Sequence, residues 1–313
     1  MKPAKIGIFF VTLLACCFLG WYFVPPCMDW LHVKKSYHDA GLTCKSLSVG
    51  ESRFSYSEGG KGEVLLCLHG FGSDKKAWIS YGQHLRKNYH VIAIDLPSHG
   101  DTFSFPNQHF DLYSLAKKVH VFVEKMGISH FYIMGSSMGG GVALAYSLFY
   151  PNEVDGLILM NPLGVPFEKN DFLKNFEKGK NPLLPRTLDE LDECFCFLTG
   201  KPLSLGYPFK AYVVRKLKEK YSFLEKAFNE LIQTQPLTPF LPQIKTKTLL
   251  LASGKDRVIN PSSYEVFHSK LPNVSYVYFP EGTHVFLGKC QEVAMEKISQ
   301  FLEEGHLQNE AKR

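Results

Sequence analysis

The chain is predicted to be an α/β protein. A mostly parallel central sheet carries helices on both faces, an inserted helical cap interrupts it, and an N-terminal transmembrane helix precedes it. Three observations predict this. Short continuous apolar runs, suited to strands buried on both faces, alternate with segments of helical spacing. That rhythm breaks between Pro166 and Pro242, where helix candidates punctuated by proline replace strands. At the N-terminus, Ile6 to Val24 is an apolar run without a charge.

Taken in order, the apolar run comes first. About 19 residues rising 1.5 Å each give a helix of roughly 28 Å, enough to cross the hydrocarbon of a bilayer. Trp21 and Tyr22 fall at its far end, where interfacial aromatics belong, and Pro25 and Pro26 are expected to stop it. A cleaved secretory signal is the alternative, but the run is long for one and no small-x-small site follows it. A lipoprotein site at Cys16 would need polar sequence after the cysteine, and apolar sequence follows. The retained anchor, residues 1–26, is therefore the adopted expectation. Lys2 and Lys5 before the span favour a single-pass membrane protein with its domain on the non-cytoplasmic side.

Beyond the anchor, Ser48 to Ser57 reads as short alternating strands that open the sheet. Val64 to Leu68 is a buried strand ending in His69-Gly70-Phe71-Gly72. Such a glycine-rich loop can turn a backbone N–H toward a developing oxyanion, and Phe71 is placed to do so. Asp74 to Leu85 is a helix candidate. Tyr89 to Leu96 is the next strand, delivering Asp95-Leu96-Pro97-Ser98-His99-Gly100. Leu112, Leu115, Val119, Phe122 and Val123 mark a helix over Asp111 to Met126.

His130 to Met134 then leads into Gly135-Ser136-Ser137-Met138-Gly139 and a helix over Gly139 to Tyr150. A nucleophilic serine needs this strand-turn-helix context, because small flanking residues let the strand and helix approach closely and lift the hydroxyl clear of the sheet. Only Ser137 has glycine at both minus two and plus two. Gly156 to Met160 is the following strand. In the cap, helices are expected around Phe167 to Lys178, Thr187 to Leu198, Tyr207 to Lys220 and Ser222 to Thr234; most of its phenylalanines pack it down and a minority line a site. Lys247 to Ala252 resumes the sheet and delivers Asp256, Val274 to Phe279 delivers His284, and Gln291 to Leu302 is the terminal helix. The polar tail, 306–313, is expected to fray.

Composition narrows the chemistry. The net charge of +5 has no Lys/Arg stripe behind it, which argues against nucleic acid as a partner. Eight cysteines make no C-x-x-C pair and no zinc pattern; Cys27 and Cys44 are the expected bridge if the domain faces an oxidising compartment. H-E-x-x-H, G-x-x-x-x-G-K and aspartate clusters are all missing, so neither a metal nor a cofactor is expected.

What remains is serine chemistry. A serine hydroxyl needs a base held by a third group, and Ser137, Asp256 and His284 occur in that chain order, each at the carboxyl end of a predicted strand. His284 would take the proton from Ser137, Asp256 would fix its tautomer, and the N–H groups of Phe71 and Met138 would hold the oxyanion. Asp95 is the rival acid, better suited to binding backbone in the turn through Gly100; His69 and His99 read as turn residues.

These motifs, with Gly254-Lys255-Asp256 and Gly282-Thr283-His284, resemble the α/β-hydrolase superfamily over 41–305, with 166–242 as its inserted cap or lid. Ser98 departs from the pattern, in which glycine is frequent. The anchor, the elbow and the lid are similar to membrane-anchored monoacylglycerol lipases of the α/β-hydrolase domain-containing group and to bacterial lipase relatives. That resemblance implies a serine carboxylester hydrolase acting on acylglycerols or similar lipid esters. Carbon-carbon bond hydrolases of the meta-cleavage type share the motifs and would need an arginine such as Arg186 or Arg215 facing the pocket. A non-catalytic binding protein of the same fold is the remaining alternative.

Overall fold

The computed structural model describes residues 24–49, 52–102 and 108–310. Eight strands form one sheet in the order β1-β2-β4-β3-β5-β6-β7-β8. They are β1 (Thr43–Val49), β2 (Ser52–Gly59), β3 (Val64–Leu68), β4 (His90–Ile94), β5 (Phe131–Ser136), β6 (Val154–Met160), β7 (Thr248–Ser253) and β8 (Val274–Phe279). β1 and β2 pair antiparallel, as do β2 and β4; every later pairing is parallel. The central strands are buried on both faces, which is why they read as continuous apolar runs: Leu65, Leu66, Cys67 and Leu68 of β3 are all sealed from solvent.

Ten helices accompany the sheet among the described residues: α1 (24–39), α2 (Ile79–Leu85), α3 (Leu112–Met126), α4 (Met138–Phe149), α5 (Asp171–Glu177), α6 (Leu188–Thr199), α7 (Tyr207–Glu219), α8 (Tyr221–Ile232), α9 (Ser262–Lys270) and α10 (Lys289–Glu310). α3 and α4 cover one face, through Leu115, Val119, Phe122 and Val142. α2 and α10 cover the other, through Tyr81, Leu85, Ile298 and Leu302. Asp111 caps α3, its carboxylate accepting from the N–H groups of Tyr113 and Ser114 (both 3.0 Å), and Gly127 ends it in the left-handed conformation at φ 69°. Such a cap contributes about 1 kcal/mol, and it explains why the helix starts where the sequence places it.

Several features differ from the sequence-based expectations or fall outside the described residues. Pro25 and Pro26 lie within the described part of α1, and the apolar run they were expected to terminate falls, apart from Val24, outside the described residues. The rest of the expected anchor lies outside the described residues, and no helix among the described ones is long and apolar enough to cross a membrane. Cys27 and Cys44 are free thiols. Finally, the tail does not fray at residue 306: α10 runs on to Glu310, with Gly305 packed against the Tyr132 hydroxyl and His306 Nδ1 2.9 Å from Glu63.

In place of one helix over Asp74 to Leu85 there is a 3₁₀ turn, Lys75–Trp78, followed by α2; the Asp74 carboxylate accepts from Lys76 N–H and starts the turn. Likewise α5 begins only at Asp171, where the Asn170 side chain accepts from Leu173 N–H at 3.0 Å.

Candidate active site

The strand register gathers the candidate residues at one edge of the sheet. Leu68 of β3 pairs with Gly135 of β5, Ser136 with Met160 of β6, Met160 with Leu251 of β7, and Ser253 with Phe279 of β8. The loops carrying Phe71, Ser137, Asn161, Asp256 and His284 therefore all leave from the carboxyl ends of parallel strands. Because β3 lies between β4 and β5, connections depart from it in both directions, and this is where open α/β sheets leave a crevice for ligands.

Ser137 sits between β5 and α4 at φ 53°, ψ −118°, a conformation that costs a non-glycine residue about 1–3 kcal/mol. The surroundings fix it there. Its N–H donates to the Met160 carbonyl and its own carbonyl accepts from Leu163 N–H, both at 2.9 Å. The flanking glycines are obligatory: a Cβ on Gly135 would lie 2.3 Å from the Gly139 carbonyl oxygen, and one on Gly139 would lie 2.1 Å from that of Leu68. The N–H groups of Phe71 and Met138 have no protein acceptor among the described residues, so both are available to a ligand oxygen.

Two of the candidate residues lie together. His284 Nδ1 is 2.6 Å from Asp256 Oδ2, and both side chains are buried. Asp256 receives four hydrogen bonds: Val258 and Ile259 N–H on Oδ1, and the Tyr264 hydroxyl and His284 Nδ1–H on Oδ2. With Nδ1–H engaged, Nε2 is the nitrogen left to act as a base. Ser137 and His284 form no hydrogen bond to each other in this structure, so the three residues are not linked in a continuous chain.

Asn161, which sequence reasoning passed over, holds the loop that carries His284. It is fully buried at φ 46°, a conformation asparagine tolerates better than most residues. Its Nδ2 donates to Ser253 Oγ and the His284 carbonyl, both at 2.9 Å, while Oδ1 accepts from Ser253 N–H at 2.9 Å. An asparagine closing a wholly apolar strand just before a proline was the available signal.

Asp95, the rival acid, is committed to its own turn. Its carboxylate accepts from Lys75 N–H (2.7 Å), Lys75 Nζ (2.7 Å) and Asp101 N–H (2.8 Å). A Cβ on Gly100 would lie 2.2 Å from its carboxyl carbon. Ser98 in the same turn stands at φ 75°, so the turn keeps a left-handed residue even though serine replaces glycine. His69 Nε2 accepts from Leu96 N–H (3.0 Å), which leaves the proton on Nδ1 to be donated to the Gly70 carbonyl (2.7 Å). His99 Nδ1 donates to the Pro97 carbonyl at 3.0 Å. Burial pushes His69 down to about 4 and His99 down to about 3, the latter further lowered by its neighbour His69. Both are neutral turn residues.

A cavity of about 370 Å³ opens on Ser137, walled by Phe71, Phe172, Phe228, Leu231, Val258 and Ile259 among others. Phe228 is its hub, with ring centroids 5.1 Å from Phe71, 6.2 Å from Phe172 and 5.4 Å from Phe176. Most of its walls are aliphatic or aromatic, which suits a hydrocarbon chain.

This elbow, this chain order and this sheet define a class, and the chain belongs to it: it is a member of the α/β-hydrolase fold family, whose pattern matches residues 63–195. It is 32% identical over 243 residues to monoacylglycerol lipase abhd6-A of Xenopus laevis, covering 72% of each chain. It is 26% identical to lipase 1 of Psychrobacter immobilis, over 78% of this chain and 79% of the relative. Among solved structures it resembles a membrane phospholipase A described as a bacterial virulence factor, with a TM-score of 0.87, 32% identity, and coverage of 98% of this chain and 99% of that one.

Proposed function

We propose that the chain is a serine carboxylester hydrolase of acylglycerols or similar lipid esters, working through an acyl-enzyme with Ser137 as nucleophile, His284 as base and Asp256 as its orienting acid. The observation that carries this reading is the apolar cavity that opens on a strained, glycine-flanked serine. An acyl chain in that cavity places its ester carbonyl at Ser137 Oγ. His284 Nε2 takes the hydroxyl proton as the tetrahedral intermediate forms and returns it to the leaving alcohol; water then repeats the cycle on the acyl-enzyme. The N–H groups of Phe71 and Met138 receive the oxyanion, and a donor of this kind typically stabilises the transition state by about 3 kcal/mol. The Ser137–His284 contact need not be formed beforehand, because catalytic hydrogen bonds often tighten only as substrate binds.

The names of the relatives, monoacylglycerol lipase, lipase and membrane phospholipase A, support a lipid ester. We also place the chain at a membrane through the apolar run Ile6 to Val24, with the domain on the non-cytoplasmic side. α1, which follows that run, exposes Met28, Trp30 and Leu31, as a helix lying at a lipid interface would. The carbon-carbon hydrolase reading is disfavoured: Arg186 lies over the Tyr221 ring and Arg215 over the Tyr212 ring, and neither lines the cavity.

The test is hydrolysis of p-nitrophenyl esters from acetate to palmitate, and of monoacylglycerols, by the detergent-solubilised protein and by Ser137→Ala. Turnover that peaks at medium or long chains and vanishes in the variant is expected. A folded protein that neither turns over esters nor reacts with a fluorophosphonate overturns the reading; labelling without ester turnover points to carbon-carbon cleavage.

A further inference from the structure

The scheme above gives no part to the phenol of Tyr264, yet that phenol touches the carboxylate on which the base depends. Tyr264 lies in the first turn of α9, wholly buried, in the same apolar cluster as Val258, Ile259 and Phe267. Its hydroxyl donates to Asp256 Oδ2 at 2.6 Å, the same oxygen that accepts from His284 Nδ1 at 2.6 Å. Burial and the charge of Asp256 hold the phenol protonated, so it stays a donor.

We propose that Tyr264 is a positioning residue for the reaction: its hydroxyl shares Asp256 Oδ2 with His284 and so sets how tightly the carboxylate holds the imidazolium. This rests on the ester-hydrolase reading above. Two physical effects follow from the geometry. With Val258 and Ile259 N–H on Oδ1, each carboxylate oxygen carries two donors, and the carboxylate plane cannot rotate without breaking at least one of these bonds. A phenol donor also draws charge from Oδ2, so the imidazolium formed during acyl transfer is stabilised less than by an unshared carboxylate. The carboxylate therefore grips the imidazolium less tightly than it would without the phenol.

Charged or titratable groups on the surrounding elements are engaged with other partners, and His268 of α9 stacks on the Tyr276 ring. Arg257 lies over the Phe197 ring at 4.6 Å, Lys255 pairs with Glu281, and the Tyr276 hydroxyl donates to Glu265 at 3.3 Å. Single-atom changes at Tyr264 leave all of them in place.

The experiment compares the full-length wild type in detergent with Tyr264→Phe and with protein carrying a fluorinated, more acidic tyrosine at position 264. Two readouts are taken: the pH profile of kcat/KM on a p-nitrophenyl ester, and the low-field NMR resonance of the His284 Nδ1 proton. In Tyr264→Phe the acid limb should move up by about half a pH unit or more, kcat/KM at neutral pH should fall about three- to tenfold, and the resonance should be displaced. The fluorinated tyrosine should move the acid limb the opposite way. An unmoved limb and resonance in folded variants would show that the phenol only fills the core. If Tyr264→Phe does not fold, the fluorinated protein decides alone, because it keeps both bond and volume. If the wild type turns over no ester, the ester reading fails, while the resonance still reports whether Tyr264 and His284 are coupled through Asp256.

Discussion

The loops bearing Asp256 and His284 and the helical insertion that roofs Ser137 are built on different physics. Asp256, His284 and Asn161 are held by short, directional hydrogen bonds in a buried setting, and each carboxylate or amide oxygen has its donor. The insertion, by contrast, meets the rest of the molecule through rings around Phe228, with polar ties at its rim such as Glu230 to Phe110 N–H (2.8 Å) and the Leu198 carbonyl to Val285 N–H (3.0 Å). Directional bonds fix a reacting geometry to fractions of an ångström, whereas ring contacts hold a surface together and still let side chains readjust around ligands of different length.

The sharpest way to break the directional half is Asp256→Asn. The amide would present N–H to His284 and force the wrong tautomer, so kcat should fall about 10⁴-fold with little change in melting temperature. A loss below tenfold in ester kinetics would mean that the acid lies elsewhere. On the apolar half, Phe228→Ala removes the hub and should destabilise the protein by about 3–5 kcal/mol in urea unfolding. The KM for long-chain esters should rise while short-chain turnover persists. If stability is unchanged, the rim bonds and not the rings hold the insertion.

The smallest effect separates the turn beside the oxyanion loop from both halves. His69 is held neutral down to about pH 4, whereas in the unfolded chain it takes a proton near its ordinary 6.5. Between those values the unfolded state binds more protons, so stability is complete above about pH 6.5 and falls as pH drops toward 4, by roughly 3 kcal/mol for this residue. His99 extends the loss to about pH 3. Urea midpoints measured across that range should decline in the wild type and decline less in His69→Gln; parallel curves would assign the loss to other groups.

Much of this was legible in the sequence, for particular reasons. β3, β5, β6 and β7 announced themselves because burial on both faces leaves no polar alternation to obscure them. The elbow was legible because two glycines stand where backbone oxygens leave no room for a side chain. The positions of Ser137, Asp256 and His284 followed from strand ends, whereas their mutual geometry did not; only the acid and base are in contact. Asn161 and Tyr264 were not legible as partners of that pair. Their roles depend on residues 123 and 8 positions away brought close by the sheet and by α9, and no local pattern records such a meeting.

The tight passage at Gly135 and Gly139 also has a genetic meaning. The smallest possible side chain at either position would collide with a backbone oxygen of a neighbouring segment, which no rotamer change can move aside. In a library of every single-codon variant, these two columns should be empty of survivors, alanine included, while the adjoining helix positions tolerate exchange. The elbow would be visible in that map as two silent codons four apart, without any assay of its chemistry.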